Sequence, residues 1–253
     1  MAVKWQVFSA SAIGTQHRAS NAPCQDAVHH VRTENALVGI VCDGAGSASH
    51  GQQGADFFTR TLAAHIADTI SSANFVASAP EESQHALREA VRTTRSQLQA
   101  MAQEQELDLR DFACTLVASV IHNGHGWFLH IGDGYAVYQS ASGESLLSHP
   151  ENGEFADQTY FVSDEQWEEH LRVTPIPALE KGAVVGLMSD GTSPFAINRA
   201  RTGFFRPFID PIVAFLRKSG EADGNRALLG VLDDEKTHAI TADDKTLFLA
   251  LAG

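Results

Sequence analysis

Hydrophobic residues repeat along the chain with two different periods, and these predict both helices and strands. Helical spacing runs over residues 51–71 and again from Pro80 to Met101, where Leu87, Val91 and Leu98 share one face. Two shorter helices are predicted over residues 207–216 and 222–232. Short apolar or alternating runs predict strands over residues 5–13, 36–42, 112–121, 126–131, 136–139, 145–148, 184–188 and 246–251.

The strands between residues 112 and 148 are separated by Asn-Gly, Gly-Asp-Gly and Ser-Gly turns. This rhythm favours an antiparallel meander over βαβ units, and so an α+β fold. Residues 150–177 are polar, irregular and acidic, with one short helix predicted over 164–171. A long irregular stretch in a compact domain is typical of a functional loop or lid. No repeat or composition break divides the chain, so we expect one domain over residues 1–253.

Charge and cysteine content exclude some classes of partner. The 253 residues include 18 Lys and Arg against 31 Asp and Glu, a net charge of −13. That balance argues against nucleic acid and anionic membranes, which are bound through clustered basic residues. Three scattered cysteines, Cys24, Cys42 and Cys114, form no disulfide framework and indicate a reducing compartment, most simply the cytoplasm. No apolar run is long enough to predict a membrane span.

Aspartates recur where predicted strands begin or end. Asp43, Asp133 and Asp190 each precede a glycine after a short apolar run, and Asp243 stands just before the last strand. Asp-Gly is also a common turn dipeptide, so each of these sites taken alone is also explained as a turn. Taken together, several carboxylates at one end of a sheet would repel one another unless cations lay among them. Ligands that are all oxygen suit Mg²⁺ or Mn²⁺ rather than Zn²⁺.

Seven short segments in a fixed order carry a resemblance to a known family. They are Gly14-Thr15-Gln16-His17, Pro23-Cys24-Gln25-Asp26, Asp43-Gly44-Ala45-Gly46-Ser47, Ala113-Cys114-Thr115-Leu116, Gly132-Asp133-Gly134, Ser189-Asp190-Gly191 and Asp243-Asp244-Lys245-Thr246. Over residues 9–251 this series resembles the metal-dependent protein phosphatases of the 2C type, in a compact bacterial branch.

The resemblance implies a four-layer sandwich, in which helices cover the outer faces of two antiparallel sheets. It also implies a site for two Mn²⁺ or Mg²⁺ ions at one end of the sandwich. In that family the aspartate matching Asp43 bridges the two ions, and the carbonyl oxygen matching that of Gly44 joins one of them. The aspartates matching Asp190 and Asp243 hold the other ion.

Two further aspartates have family counterparts, and three positions depart from the family pattern. Asp26 matches an aspartate that orients metal-bound water, and Asp133 matches one that helps to bind a weaker third ion in some members. Gln25 replaces a frequent glutamate, which leaves one ion more hydrated. Asn21 replaces the arginine that often holds substrate phosphate, and Tyr135 stands where arginine usually follows the Gly-Asp motif.

These departures leave open which residues bind substrate and which one donates a proton. Arg18 and His17 lie near the missing arginine, although at different spacing, and are candidates for phosphate binding. His17 and His50 each lie near a proposed ligand or its motif, so either is a candidate to protonate the leaving oxygen. We predict His17 as a catalytic residue together with Asp26 and Asp43, and Arg18 and His50 as substrate-binding residues.

Other chemistries fit the sequence less well. The positions six residues after the three cysteines hold His30, Ala48 and Val120, so the arginine of a cysteine phosphatase is missing. The chain has no P-loop motif, and Ser49 interrupts a partial dinucleotide-binding fingerprint that begins at Gly44.

The leading hypothesis is a cytoplasmic, monomeric serine/threonine protein phosphatase. It would act on phosphoproteins, opposite a cognate kinase, through water activated by two Mn²⁺ or Mg²⁺ ions. The alternative is a weak or inactive phosphatase-like binding module.

Overall fold

Two antiparallel β-sheets lie face to face in the computed structural model, which describes residues 4–72, 75–151, 159–177 and 179–253. Sheet one has the strand order β1-β10-β9-β6-β7, and sheet two has the order β2-β3-β4-β5-β8. The strands are β1 Trp5–Ala12, β2 Asp26–Arg32, β3 Ala36–Asp43, β4 Leu116–His122, β5 His125–Ile131, β6 Tyr135–Gln139, β7 Ser145–Ser148, β8 Arg172–Ile176, β9 Val184–Met188 and β10 Lys245–Ala252. Every described strand pair is antiparallel, which argues against a dinucleotide-binding fold with its parallel sheet.

The inner faces of the two sheets form the central core. Val41 and Phe128 of sheet two and Leu187 and Phe248 of sheet one are buried there. The Phe248 ring occupies the space that a side chain at Gly39, on the opposite sheet, would need. A glycine in the middle of β3 therefore lets a large ring fill the space between the sheets.

Helices cover both outer faces. They are α1 Thr15–Ser20, α2 Gly51–Ser71, α3 Pro80–Glu104, α4 Trp167–His170, α5 Ser193–Ala196, α6 Arg206–Leu216, α7 Glu221–Leu232 and α8 Glu235–His238, and a 3₁₀ turn spans Leu109–Phe112. Helices α2 and α3 bury their apolar stripes in one core with sheet two, and α6 and α7 do so with sheet one. The predicted four-layer α+β sandwich is confirmed.

The predicted meander over residues 112–148 is wrong, because the chain changes sheets in the middle of it. Strands β4 and β5 pair within sheet two, whereas β6 and β7 pair within sheet one. Residues 132–134 make the crossing, and Gly132 has φ +108°, a conformation that favours glycine. The crossing brings Asp133 to the end of the sandwich.

Strands β2 and β8 were not predicted from the sequence, and β4 begins later than predicted. Both β2 and β8 lie at the edge of sheet two, where polar residues and Pro175 weaken the strand signal. β8 lies inside the stretch predicted to be an irregular lid, and residues 152–158 of that stretch lie outside the described residues. β4 begins at Leu116 rather than at residue 112, because the 3₁₀ turn precedes it.

The cysteines form no disulfide. Cys24, Cys42 and Cys114 are all free thiols, and the last two are buried like small apolar residues. Among the described helices, none combines the length and the apolar character that crossing a bilayer requires.

Candidate active site

All five predicted metal ligands, four aspartates and Gly44, line one cavity at one end of the sandwich. Asp43 ends β3 of sheet two, Asp190 follows β9 of sheet one, and Asp243 precedes β10 of the same sheet. Asp133 comes from the crossing between the sheets. All four carboxylates line a cavity of about 260 Å³, which we call the aspartate cavity.

Backbone hydrogen bonds fix the loop that carries Asp43. The Asp43 amide donates to Thr115 Oγ1 at 3.0 Å, and the Thr115 amide donates to the Asp43 carbonyl at 2.8 Å. The next residue, Gly44, donates its amide to the Gln25 carbonyl at 3.1 Å. A Cβ atom at Gly44 would lie 2.5 Å from the Gly51 carbonyl carbon, so the first turn of α2 can approach only a glycine here.

Asp26 lies directly behind Asp43. The two residues are partners in the β2–β3 register, and Ser189 Oγ donates to Asp26 Oδ2 at 2.6 Å. Asp26 is 7% exposed, and its Oδ1 is buried without a hydrogen-bond partner in the described structure. Asp26 itself is not among the described lining residues of the aspartate cavity.

Burial and crowding make these carboxyls hold protons more tightly than usual. Burial raises the pKa of Asp43 well above its ordinary value, and the charges of Asp26, Asp190, Asp243 and Asp133 raise it further. Burial, followed by the charges of Asp133 and Asp243, raises the pKa of Asp190 to about 6, although a hydrogen bond with Asp43 opposes the rise. Burial raises the pKa of Asp26 to about 7. A cation among these groups would reverse that effect.

The donor set fits a hydrated hard cation. Asp190 Oδ1, like Asp26 Oδ1, is buried and has no hydrogen-bond partner in the described structure. Within the described ranges, no three or more His, Cys, Asp and Glu side chains are already grouped as a metal site. Mg²⁺ keeps several waters, so water can supply ligands that the side chains do not.

Of the predicted site residues His17, Arg18 and His50, only the first is among the described residues that line the aspartate cavity. His17 lines the aspartate cavity, and its Nδ1 lies 2.9 Å from Asp244 Oδ2. Arg18 forms an ion pair with Asp233 and is not among the described lining residues. His50 Nδ1 lies 2.9 Å from Ser49 Oγ, its ring contacts that of Phe112 at a tilt, and it is likewise not among the described lining residues. The geometry therefore gives no support to substrate binding by Arg18 or His50.

Sequence reasoning missed the role of Asp244. This residue is 2% exposed, and it accepts the amides of Gly14 at Oδ1 and Gln25 at Oδ2, both at 2.6 Å. It therefore ties the start of β10 to the segments before α1 and β2. Asp243 and Asp244 are neighbours in the loop before β10, yet the first lines the aspartate cavity and the second accepts backbone amides.

Residues with no predicted role complete the wall of the aspartate cavity. Thr159 Oγ1 donates to Asp133 Oδ2 at 2.6 Å. Phe161 also lies outside the seven segments, whereas Gln16, Ser47 and Thr115 belong to them but had no predicted role.

A larger cavity, of about 610 Å³, lies at the other end of the sandwich, beside Trp5, Arg32 and Ile121. Its described lining has a single carboxylate, Glu34, and no counterpart of the aspartate cluster. The chemistry therefore favours the smaller cavity as the active site.

A family comparison agrees with this geometry. The model of the family described as Protein phosphatase 2C matches residues 13–233. The chain belongs to the protein phosphatase 2C family. Its members are metal-dependent protein phosphatases, so this 2C-type chain is a phosphoprotein phosphatase, and the resemblance predicted from the motifs is confirmed.

Individual relatives support the assignment over the full length. Serine/threonine-protein phosphatase 3 of Escherichia coli (strain K12) is 29% identical over 259 residues, which cover 98% of this chain and 99% of that relative. The serine/threonine phosphatase of S. agalactiae superposes with a TM-score of 0.67 at 14% identity, covering 99% of this chain and 100% of that one. RsbX in complex with magnesium gives a TM-score of 0.58 at 16% identity, covering 99% and 98%. These two structures show that the 2C phosphatase fold is shared.

Proposed function

We propose that this 2C phosphatase hydrolyses phosphoserine and phosphothreonine esters in proteins at the aspartate cavity. The observation that carries the proposal is the meeting of Asp43, Asp133, Asp190 and Asp243, from distant parts of the sequence, in one cavity. The name of the Escherichia coli relative supports the choice of serine and threonine esters. We treat the whole chain as one catalytic domain, since both sheets contribute to the cavity.

Two Mn²⁺ or Mg²⁺ ions fit the proposed site. Asp43 and the Gly44 carbonyl would hold one ion, Asp43 would share the second with Asp190 and Asp243, and Asp133 would contribute to a weaker third ion. When bound, such ions lower the pKa of the water that they hold to near 7 and neutralise the charge of phosphoryl oxygens.

The chain's own groups have separate tasks. Asp26, the register partner of Asp43 on the neighbouring strand, would help to orient the attacking water as the family resemblance implies, although Asp26 is not among the described lining residues. Gln25 lines the cavity as a neutral group where the family often has glutamate, so it adds no charge to the aspartate cluster. The described lining contains no arginine or lysine. Neutralisation of the substrate phosphate therefore falls to the cations rather than to side chains.

Hydrolysis of p-nitrophenyl phosphate and of a phosphothreonine peptide tests the proposal. We expect turnover that requires Mn²⁺ or Mg²⁺ and is lost in the Asp43→Asn and Asp190→Asn variants. Asp68→Asn, an exposed change on α2, is the matched control and should keep full activity. Turnover that persists in excess EDTA would contradict the metal-dependent mechanism.

A second outcome would identify a binding module instead. Gln25 and Asn21 depart from the family pattern, and such departures motivate a protein that binds phosphoprotein without turnover. Phosphopeptide binding with no hydrolysis under any divalent ion would favour that alternative.

We further propose that the enzyme works in a reducing compartment, most simply the cytoplasm, because its three cysteines are free thiols. A cognate serine/threonine kinase and a monomeric state remain predictions. Size-exclusion chromatography with light scattering tests the latter.

A further inference from the structure

A buried carboxylate holds the histidine of the aspartate cavity in one orientation. Asp244 Oδ2 lies 2.9 Å from His17 Nδ1, and the side chains are 2% and 18% exposed, respectively. The Asp244 oxygens already accept two backbone amides, from Gly14 and Gln25. Because an ionised carboxylate only accepts hydrogen bonds, His17 must donate from Nδ1.

The hydrogen bond to Asp244 engages Nδ1 of His17, so Nε2 is the ring nitrogen free of that contact in a side chain that lines the cavity. Which nitrogen of a histidine carries the proton is set by the hydrogen bond that the other nitrogen makes. Apart from the carboxylates, His17 is the one titratable side chain among the described lining residues of the aspartate cavity. It is therefore the group best placed to give a proton to a departing oxygen.

We propose that His17 is the catalytic acid and that Asp244 is its positioning residue, an inference that rests on the proposed function. As the bond between phosphorus and the serine or threonine oxygen breaks, its electron pair stays on that oxygen, which takes the Nε2 proton of the imidazolium form of His17 and leaves the ring as the Nδ1–H tautomer. Water supplies the oxygen of the new bond to phosphorus, and the proton that it releases returns to Nε2. Asp244 stabilises the imidazolium through Nδ1.

Two substrates with different leaving groups test the pair. A threonine alkoxide needs a proton to leave, whereas nitrophenolate leaves without one. We expect His17→Gln and Asp244→Asn to lower kcat on a phosphothreonine peptide by about 10²- to 10⁴-fold, but on p-nitrophenyl phosphate by no more than about fivefold. His85→Gln, an exposed histidine on α3, is the matched control and should leave both rates unchanged.

The outcomes separate this inference from the proposed function. Equal losses of kcat on both substrates, or no loss on the peptide, would overturn the role of His17 while hydrolysis itself stands. A wild-type protein inert toward both substrates under every divalent ion would overturn the proposed function and the inference together.

The tautomer of His17 gives a readout that needs neither turnover nor metal. In ¹⁵N spectra of the metal-free protein at about pH 8, above the usual pKa of histidine, we expect the proton on Nδ1. A proton on Nε2 would overturn the positioning by Asp244. Asp244→Asn also weakens the bonds from Gly14 and Gln25, so His17→Gln and the wild-type tautomer carry the test should that variant fail to fold.

Discussion

Replacing Asp190 by asparagine is expected to stabilise the metal-free protein at neutral pH. Asp190 lies among like charges in the aspartate cavity, and burial followed by the charges of Asp133 and Asp243 raises its pKa from 3.8 to about 6. Ionising it in the fold is therefore harder than in the unfolded chain. At about 1.36 kcal/mol per pKa unit, the change corresponds to roughly 3 kcal/mol of stability lost above pH 6.

The pH dependence has a definite sign. Between the unfolded pKa of 3.8 and the folded value of about 6, the native protein binds more protons at Asp190 than the unfolded chain does. The contribution of Asp190 to stability therefore falls as pH rises through that window and is constant above it. The variant and the wild type should be nearly equal in stability at about pH 4 and differ most above pH 6.

Urea unfolding of both proteins in EDTA, at several pH values, measures the difference. We expect the variant to gain about 2–3 kcal/mol at pH 7, whereas the exposed control Asp68→Asn should stay within about 0.5 kcal/mol of the wild type. Added Mn²⁺ should stabilise the wild type more than the variant, because it binds only the folded state. An Asp190→Asn protein that is less stable than the wild type at pH 7 in EDTA would refute the electrostatic reasoning.

Three further predictions concern stability. Asp43→Ala should leave the melting temperature of the metal-free protein unchanged or raised, and a loss of several degrees would assign Asp43 a structural role. Gly191→Ala should destabilise strongly, because its Cβ would collide with the Asp244 carbonyl; Gly230→Ala on α7, which faces open space, should instead gain about 0.5–1 kcal/mol in urea unfolding. Burial lowers the pKa of His130 well below its ordinary 6.5. As the pH falls below 6.5, the unfolded chain therefore binds a proton at His130 that the folded protein does not. The free energy of unfolding then decreases by up to about 1.4 kcal/mol per pH unit. The His130→Asn variant should show a shallower fall, and an equal slope would mean that His130 is protonated in the fold.

The long helices could be predicted from the spacing of apolar residues, because each helix buries one face and exposes the other. Helix α2 spans Gly51–Ser71 as predicted, since its apolar residues repeat at helical spacing against sheet two. Strand β2 was missed because His29 and His30 are only half-buried at a sheet edge. The exchange of sheets at residues 132–134 was missed because turn residues do not show which sheet the next strand joins.

The sequence predicts which aspartates form the site, but not the hydrogen bonds that hold the site to the rest of the chain. Asp43 and Asp190 carry a local signal, an apolar strand that ends at Asp-Gly, and the family resemblance supplied their roles. The anchoring role of Asp244 depends on hydrogen bonds to Gly14 and Gln25, which are distant in sequence and become visible only after folding. Arg18 was proposed from its nearness in sequence to a missing arginine, but its partner is Asp233, from another part of the chain.

The contact of Phe248 with Gly39 has a consequence for cation affinity. Gly39 lies on the strand that ends at Asp43, and Phe248 lies on the strand that Asp243 precedes. Sliding one layer over the other would change the separation of these two carboxylates. A smaller side chain in place of Phe248, far from any solvent, should therefore weaken Mn²⁺ binding without touching a ligand. The packing between the two sheets would in that sense help to set how tightly the proposed site holds a cation.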